Sequence, residues 1–113
     1  HSGKDNSILL KHGYAPIEQY DAHGKQGPWT DVYSLCGSIF YLLTGRKPQR
    51  AYERVSEDKM VSLRQMGVHI SEEKSQAVEK GLSVQIEDRY QQMADLYYDL
   101  YGETLSGEMG KQS

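Results

Sequence analysis

The chain has 113 residues, 37% of them hydrophobic and 26% charged, with a formal net charge of -3, enough for one small domain with a modest core. Acidic and basic residues are mixed along its length, so no charged tail marks a nucleic-acid or membrane partner. The single cysteine, Cys36, excludes an internal disulfide and a cysteine-built metal site. Neither a signal peptide nor a run of about 18 apolar residues is present, so no membrane contact is expected from these residues and a cytoplasmic setting is the default.

Residues 1–12 are polar and read as loop, with Ile8, Leu9 and Leu10 as a short apolar patch. Residues 13–28 are punctuated by glycine and two prolines and predict loop, with one turn of helix near residues 18–20. Pro28 suits the first position of a helix and Gly45 a left-handed stop. Between them lies the strongest predicted helix, Pro28–Thr44. Trp29, Val32, Leu35, Cys36, Ile39, Phe40, Leu42 and Leu43 run most of the way round it, a pattern that belongs inside a larger body of protein. Residues 46–54 predict a basic, proline-containing loop. A second helix is expected over 57–66, carrying Met60, Val61 and Leu63 and closed by Gly67. Ser71 is a good N-cap for a third over 72–82, whose two leading glutamates complement the helix dipole. Residues 83–90 predict a connecting turn. From Gln91 a fourth helix places Met93, Leu96, Tyr97 and Leu100 at i, i+3, i+4 and i+7. Residues 103–113 form a polar, glycine-rich tail. No alternating strand pattern occurs, so the predicted class is all-α.

Few residues point to chemistry by their own spacing. His1, His12, His23 and His69 show no ligand spacing, so no metal site is predicted. Cys36 stands among apolar residues, the setting of a buried inert thiol. Arg46, Lys47, Arg50 and Arg54 are candidates for a docking patch or simply for a solvated loop. Asp31, in the first turns of an otherwise apolar helix, is expected to be at least partly buried and so to need hydrogen-bond donors.

One combination is more specific. Ala15, Pro16 and Glu18, within Gly-Tyr-Ala-Pro-Ile-Glu-Gln-Tyr, are followed by Asp31 in Asp-Val-Tyr-Ser-Leu and, far downstream, by Arg89. In this order and spacing they resemble the lower lobe of a protein kinase, from the end of the activation segment through the lobe's central helix. Ile17 is an extra residue inside the usual Ala-Pro-Glu, a variant associated with bacterial serine/threonine-type kinases. The Gly-Thr that many serine/threonine kinases place before it is replaced by Leu10, Lys11 and His12.

The resemblance implies a helical C-terminal subregion of a kinase-like fold without the upper lobe. It divides the chain into the end of an activation segment at 1–12, helical lobe at 13–102 and tail at 103–113. It pairs Glu18 with Arg89, and gives Asp31 hydrogen bonds from a catalytic-loop backbone. Lys11, His12, Gly13 and Tyr14 would cradle the substrate residue after the phosphoacceptor, and Ser2 and Ser7 would be possible phosphosites. No Gly-x-Gly-x-x-Gly, His-Arg-Asp or Asp-Phe-Gly occurs in these residues. No catalytic residue and no cofactor is therefore assigned to this chain, while ATP and Mg²⁺ are implied for a parent kinase. The implied partners are the protein or peptide substrate of that parent, the missing upper lobe, and a second copy meeting through the Pro28–Thr44 helix. The alternative is a non-catalytic protein-binding module derived from a degenerate kinase.

Overall fold

A computed structural model describes residues 14–20 and 23–102. The readings placed on Ser2, Ser7, residues 8–10, Lys11, His12, Gly13 and the tail fall outside them. The described residues form four α-helices: α1 (Pro28–Thr44), α2 (Ala51–Ser56), α3 (Glu72–Gly81) and α4 (Met93–Tyr101). Two 3-10 turns, Ile17–Gln19 and Ile86–Asp88, complete the regular structure, and no strand occurs among the described residues.

The α1 helix is the axis of the fold. Pro28 opens it without wasting a donor, the Gly27 N–H donates to Thr30 Oγ1 at 3.1 Å, and Gly45 closes it in the left-handed region at φ 74°. Its inner face carries Val32, Tyr33, Cys36 and Phe40 into a core shared with Leu63, Ala77, Val78, Leu82, Tyr90 and Leu96. Helices α3 and α4 pack on each other and both rest on α1. Ser71 Oγ accepts the Lys74 N–H at 3.2 Å and starts α3 as its sequence predicts. On α4 the expected stripe goes only partly inside. Leu96 is buried, Tyr97 and Leu100 are half-buried, and Met93 stays exposed.

Two expectations are corrected. The basic loop ends at Arg50, and residues 51–56 are helical, because Ala51 and Arg54 lie three apart and both turn into the core. The helix expected over 57–66 does not form. Side chains there take the backbone groups that a helix would have used. Asp58 Oδ1 accepts Met60 N–H, Gln49 Oε1 accepts Lys59 N–H and its amide donates to Glu57 O. Ser62 and Gln65 cap each other, and Glu79 Oε2 accepts Leu63 N–H. The α1 helix, apolar around its circumference in sequence, is covered on one side only, in keeping with a helix that belongs inside a larger body of protein. Leu35 and Leu42 point away from the core, 40% and 80% exposed, with Tyr41 and Leu43 also exposed at the C-terminal end.

Candidate functional site

The segment Tyr14–Ala15–Pro16 reaches α1 in an extended conformation (Pro16 φ -75°, ψ 171°) and turns at once into the 3-10 turn Ile17–Gln19. Ala15 and Pro16 are buried. Ser34 Oγ, on α1, donates to the Tyr14 carbonyl at 3.0 Å and fixes where the segment meets the helix. On the other flank Gly24 lies so close that a Cβ there would collide with the Glu18 carbonyl.

Glu18 is the anchor of this segment. Its carboxylate meets Arg89 in a two-pronged contact, Nη1 to Oε2 at 2.7 Å and Nη2 to Oε1 at 3.3 Å. The two side chains are 2% and 0% exposed. The guanidinium has five N–H donors, and here every one has an acceptor. Besides the two to Glu18, Nε donates to Ser83 O at 2.9 Å, Nη2 to Val84 O at 2.9 Å and Nη1 to Trp29 O at 3.0 Å. Thr30 Oγ1 donates to Glu18 Oε2 at 2.8 Å. The pair therefore ties four pieces of chain together: the 14–20 segment, the start of α1, the 83–84 turn and the residue after the second 3-10 turn. A buried ion pair left short of partners would be costly; this one is not short of any.

A second arginine reaches the same core residue, Tyr33. Arg89 lies over the Tyr33 ring, 5.0 Å from its centroid, while Arg54 Nη1 donates to the Tyr33 hydroxyl at 3.1 Å and to Leu82 O at 2.6 Å. Arg54 also holds Asp58 through both carboxylate oxygens at 3.1 Å. Burial pushes the Tyr33 phenol above its ordinary value, with the Arg54 charge and hydrogen bond and the Arg89 charge pulling back. Arg54 is thus a buried strut between α2, α1 and α3, and no part of an exposed patch. Arg46, Lys47 and Arg50 are exposed.

Asp31 departs from its expectation. It is exposed, in the first turn of α1, and no described residue donates to its carboxylate. The inward positions at this end of the helix belong to Thr30, Val32 and Tyr33, so Asp31 falls on the outer side together with Leu35 and Leu42. It borders a groove that also takes in Gln19, Gln26, Gln92 and Met93. Gln19 Oε1 is a buried acceptor without a described partner. Thr30 and Ser34 are the site residues that sequence reasoning missed, and Arg54 is one that it named for a docking patch and that the structure places in the core instead. Thr30 and Ser34 look like ordinary helix positions, and Arg54 like one more cation in a basic run. No group of three His, Cys, Asp or Glu among the described residues is placed to hold a metal ion, and no described helix is long and apolar enough to cross a membrane.

No protein-family model matches the chain, and no curated protein does. A solved structure named "PpkA-294 apo form", a bacterial serine/threonine kinase, aligns with a TM-score of 0.75 at 34% identity. The alignment covers 87% of this chain and 34% of that one, so the chain spans about a third of that structure's length. The all-helical fold of the described residues is kinase-like.

Proposed function

We propose that the chain is the substrate-docking and scaffolding part of the lower lobe of a serine/threonine-type protein kinase of bacterial kind. The parent would transfer the γ-phosphoryl of ATP to a protein hydroxyl. The observation that carries this reading is the Glu18–Arg89 pair. It closes an Ala-Pro-x-Glu segment onto the far end of the helical body, in a chain whose fold is kinase-like. The pair anchors the chain directly after residues 14–16, which Ser34 holds against α1 at Tyr14, as a surface that positions a bound peptide requires. Tyr14 would touch the residue following the phosphoacceptor, with Lys11, His12 and Gly13 preceding it.

The sequence carries none of the nucleotide-contacting or catalytic motifs of a kinase. No step of the transfer is therefore assigned to its residues. ATP, Mg²⁺ and the catalytic aspartate belong to the parent. The outer face of α1 supports that division. Leu35, Leu42 and the carboxylate of Asp31 lie uncovered on one side, and donors from a catalytic loop would satisfy the last.

The test joins the chain to its upstream reading frame. A parent carrying His-Arg-Asp and Asp-Phe-Gly in frame transfers phosphate to a serine or threonine peptide, and this chain alone shows no heat on titration with Mg·ATP. Saturable micromolar binding of Mg·ATP to the isolated chain, or an upstream frame without those motifs, overturns the reading.

A further inference from the structure

The chain has five arginines. Three are held in ion pairs: Arg54 with Asp58, Arg64 with Glu72 and Arg89 with Glu18. The two that have no carboxylate within ion-pair distance among the described residues are Arg46 and Arg50. They belong to the same short loop, with Lys47 between them and no acidic residue in the run 46–50.

That loop is braced from inside. The Arg46 N–H donates to Thr44 Oγ1 at 3.0 Å, at the end of α1. Pro48 is buried; a Cβ placed on Gly37 would lie 3.7 Å from its Cγ and 3.1 Å from Tyr14 Cδ1. Pro48 and Tyr14 are thus neighbours on one face of α1. The Gln49 N–H points at Met60 Sδ at 3.4 Å, and its side chain bridges to the backbone of Glu57 and Lys59. Arg50 reaches the Tyr52 hydroxyl at 3.3 Å, and the Tyr52 ring meets Tyr20 edge-on at 5.2 Å. Pro48 is buried and the Gln49 side chain clasps the 57–59 backbone, so the loop that carries the three exposed cations is braced. They flank the 14–20 segment at both ends, at Tyr14 through Pro48 and at Tyr20 through Tyr52.

From this placement we infer that Arg46, Lys47 and Arg50 form a docking surface for acidic residues of a protein substrate, beside the segment that receives the acceptor. The inference rests on the proposed kinase reading for the word substrate, and names the class: hydroxyl acceptors flanked by glutamate or aspartate. A braced loop backbone loses little conformational freedom on binding, and the field of its cations draws an acidic peptide in. A nucleic acid fits less well, because three cations in one short loop neutralise only a few phosphates.

The experiment measures binding of this chain to a fluorescent peptide with one serine flanked by glutamates, and to its twin with glutamine in their place. The glutamate peptide binds more tightly, and added salt weakens it. The triple variant Arg46→Glu, Lys47→Glu, Arg50→Glu loses about tenfold in affinity for it, three exposed contacts together accounting for roughly that factor. The variant Lys74→Glu, Lys80→Glu, whose cations lie over the Tyr101 and Tyr90 rings, retains it. Circular dichroism of each variant verifies the fold, and Arg46→Gln, Arg50→Gln gives a smaller loss in the same direction if the reversal unfolds. Equal binding of the two peptides, equal loss in the two lysine and arginine variants, or an oligonucleotide binding more tightly than the glutamate peptide overturns the inference. The parent separates the two readings. Phosphoryl transfer that ignores both the glutamates and the triple variant removes the docking surface alone. Glutamate-dependent binding in a parent without phosphoryl transfer removes the kinase reading and leaves the docking surface.

Discussion

At the scale of single residues, Arg89 shows why a buried charge can be stable. A guanidinium taken out of water needs acceptors for all its donors, and Glu18 supplies only part of them; three backbone carbonyls supply the rest. Removing one partner leaves the other charge without compensation. Glu18→Ala or Arg89→Ala therefore lowers the stability by about 3–5 kcal/mol in urea melts. Arg89→Lys keeps the charge but cannot reach three separate carbonyls and both carboxylate oxygens, and is expected to lose about 1–3 kcal/mol. A lysine variant as stable as the natural chain would mean that charge alone matters. Cys36 gives a second test. Burial pushes its thiol from 9.0 up to about 12, against a weaker pull from Arg89. The folded state then holds a proton that the unfolded state gives up. The contribution of this thiol to stability is constant below about pH 9 and falls as pH rises from there towards 12, by up to about 1.4 kcal/mol per pH unit. Tyr33, also raised by burial, adds to the fall above pH 10. Alkaline titration of the melting midpoint checks this, and Cys36→Ala shallows the slope.

At the scale of elements, the contact of α1 with α3 is set by the absence of a side chain. A Cβ on Gly81 would press on Cys36 Sγ, with Cys36 Cβ 3.2 Å and Val32 Cγ1 3.3 Å away. The atoms in the way are short, packed groups of the core, so they have little room to yield. Gly81→Ala is expected to cost about 1–3 kcal/mol through overpacking, although alanine is the better helix former. If the variant is stabilised in thermal melts, helix propensity outweighs the close approach. The short α2 shows the opposite balance. Six residues are too few for a helix to hold by itself, and it is kept in place by the two inward residues Ala51 and Arg54.

At the scale of the molecule, one side of α1 is packed and the other is not. Phe40 is covered by the chain's own residues, while Leu42 is 80% exposed beside Leu35 and Tyr41. Apolar side chains aligned on one helix face favour association. In isolation, two copies are expected to meet through this face as a symmetric dimer, burying the same patch twice. Light scattering over a concentration series measures it. The double variant Leu35→Glu, Leu42→Glu shifts the chain to monomer, and a natural chain that is monomeric throughout would rule the dimer out.

The sequence by itself determined α1, α3 and α4, because each has a local signal: Pro28 and Gly45 around an apolar run, Ser71 before two glutamates, and the 3.6-residue stripe led by Leu96. It also brought Glu18 and Arg89 together, though only through the resemblance, since 71 residues of separation carry no local signal. Residues 46–66 were beyond it. Pro48 and the basic run conceal a helix whose reason is Arg54 under Tyr33, and the apolar spacing of 57–66 suggests a helix that Asp58, Gln49, Ser62 and Glu79 dissolve by capturing its backbone groups. Which side of α1 faces water was likewise decided only in three dimensions. Periodicity reports that a helix is apolar all round, but which of its faces is covered depends on the neighbours that the rest of the chain can bring.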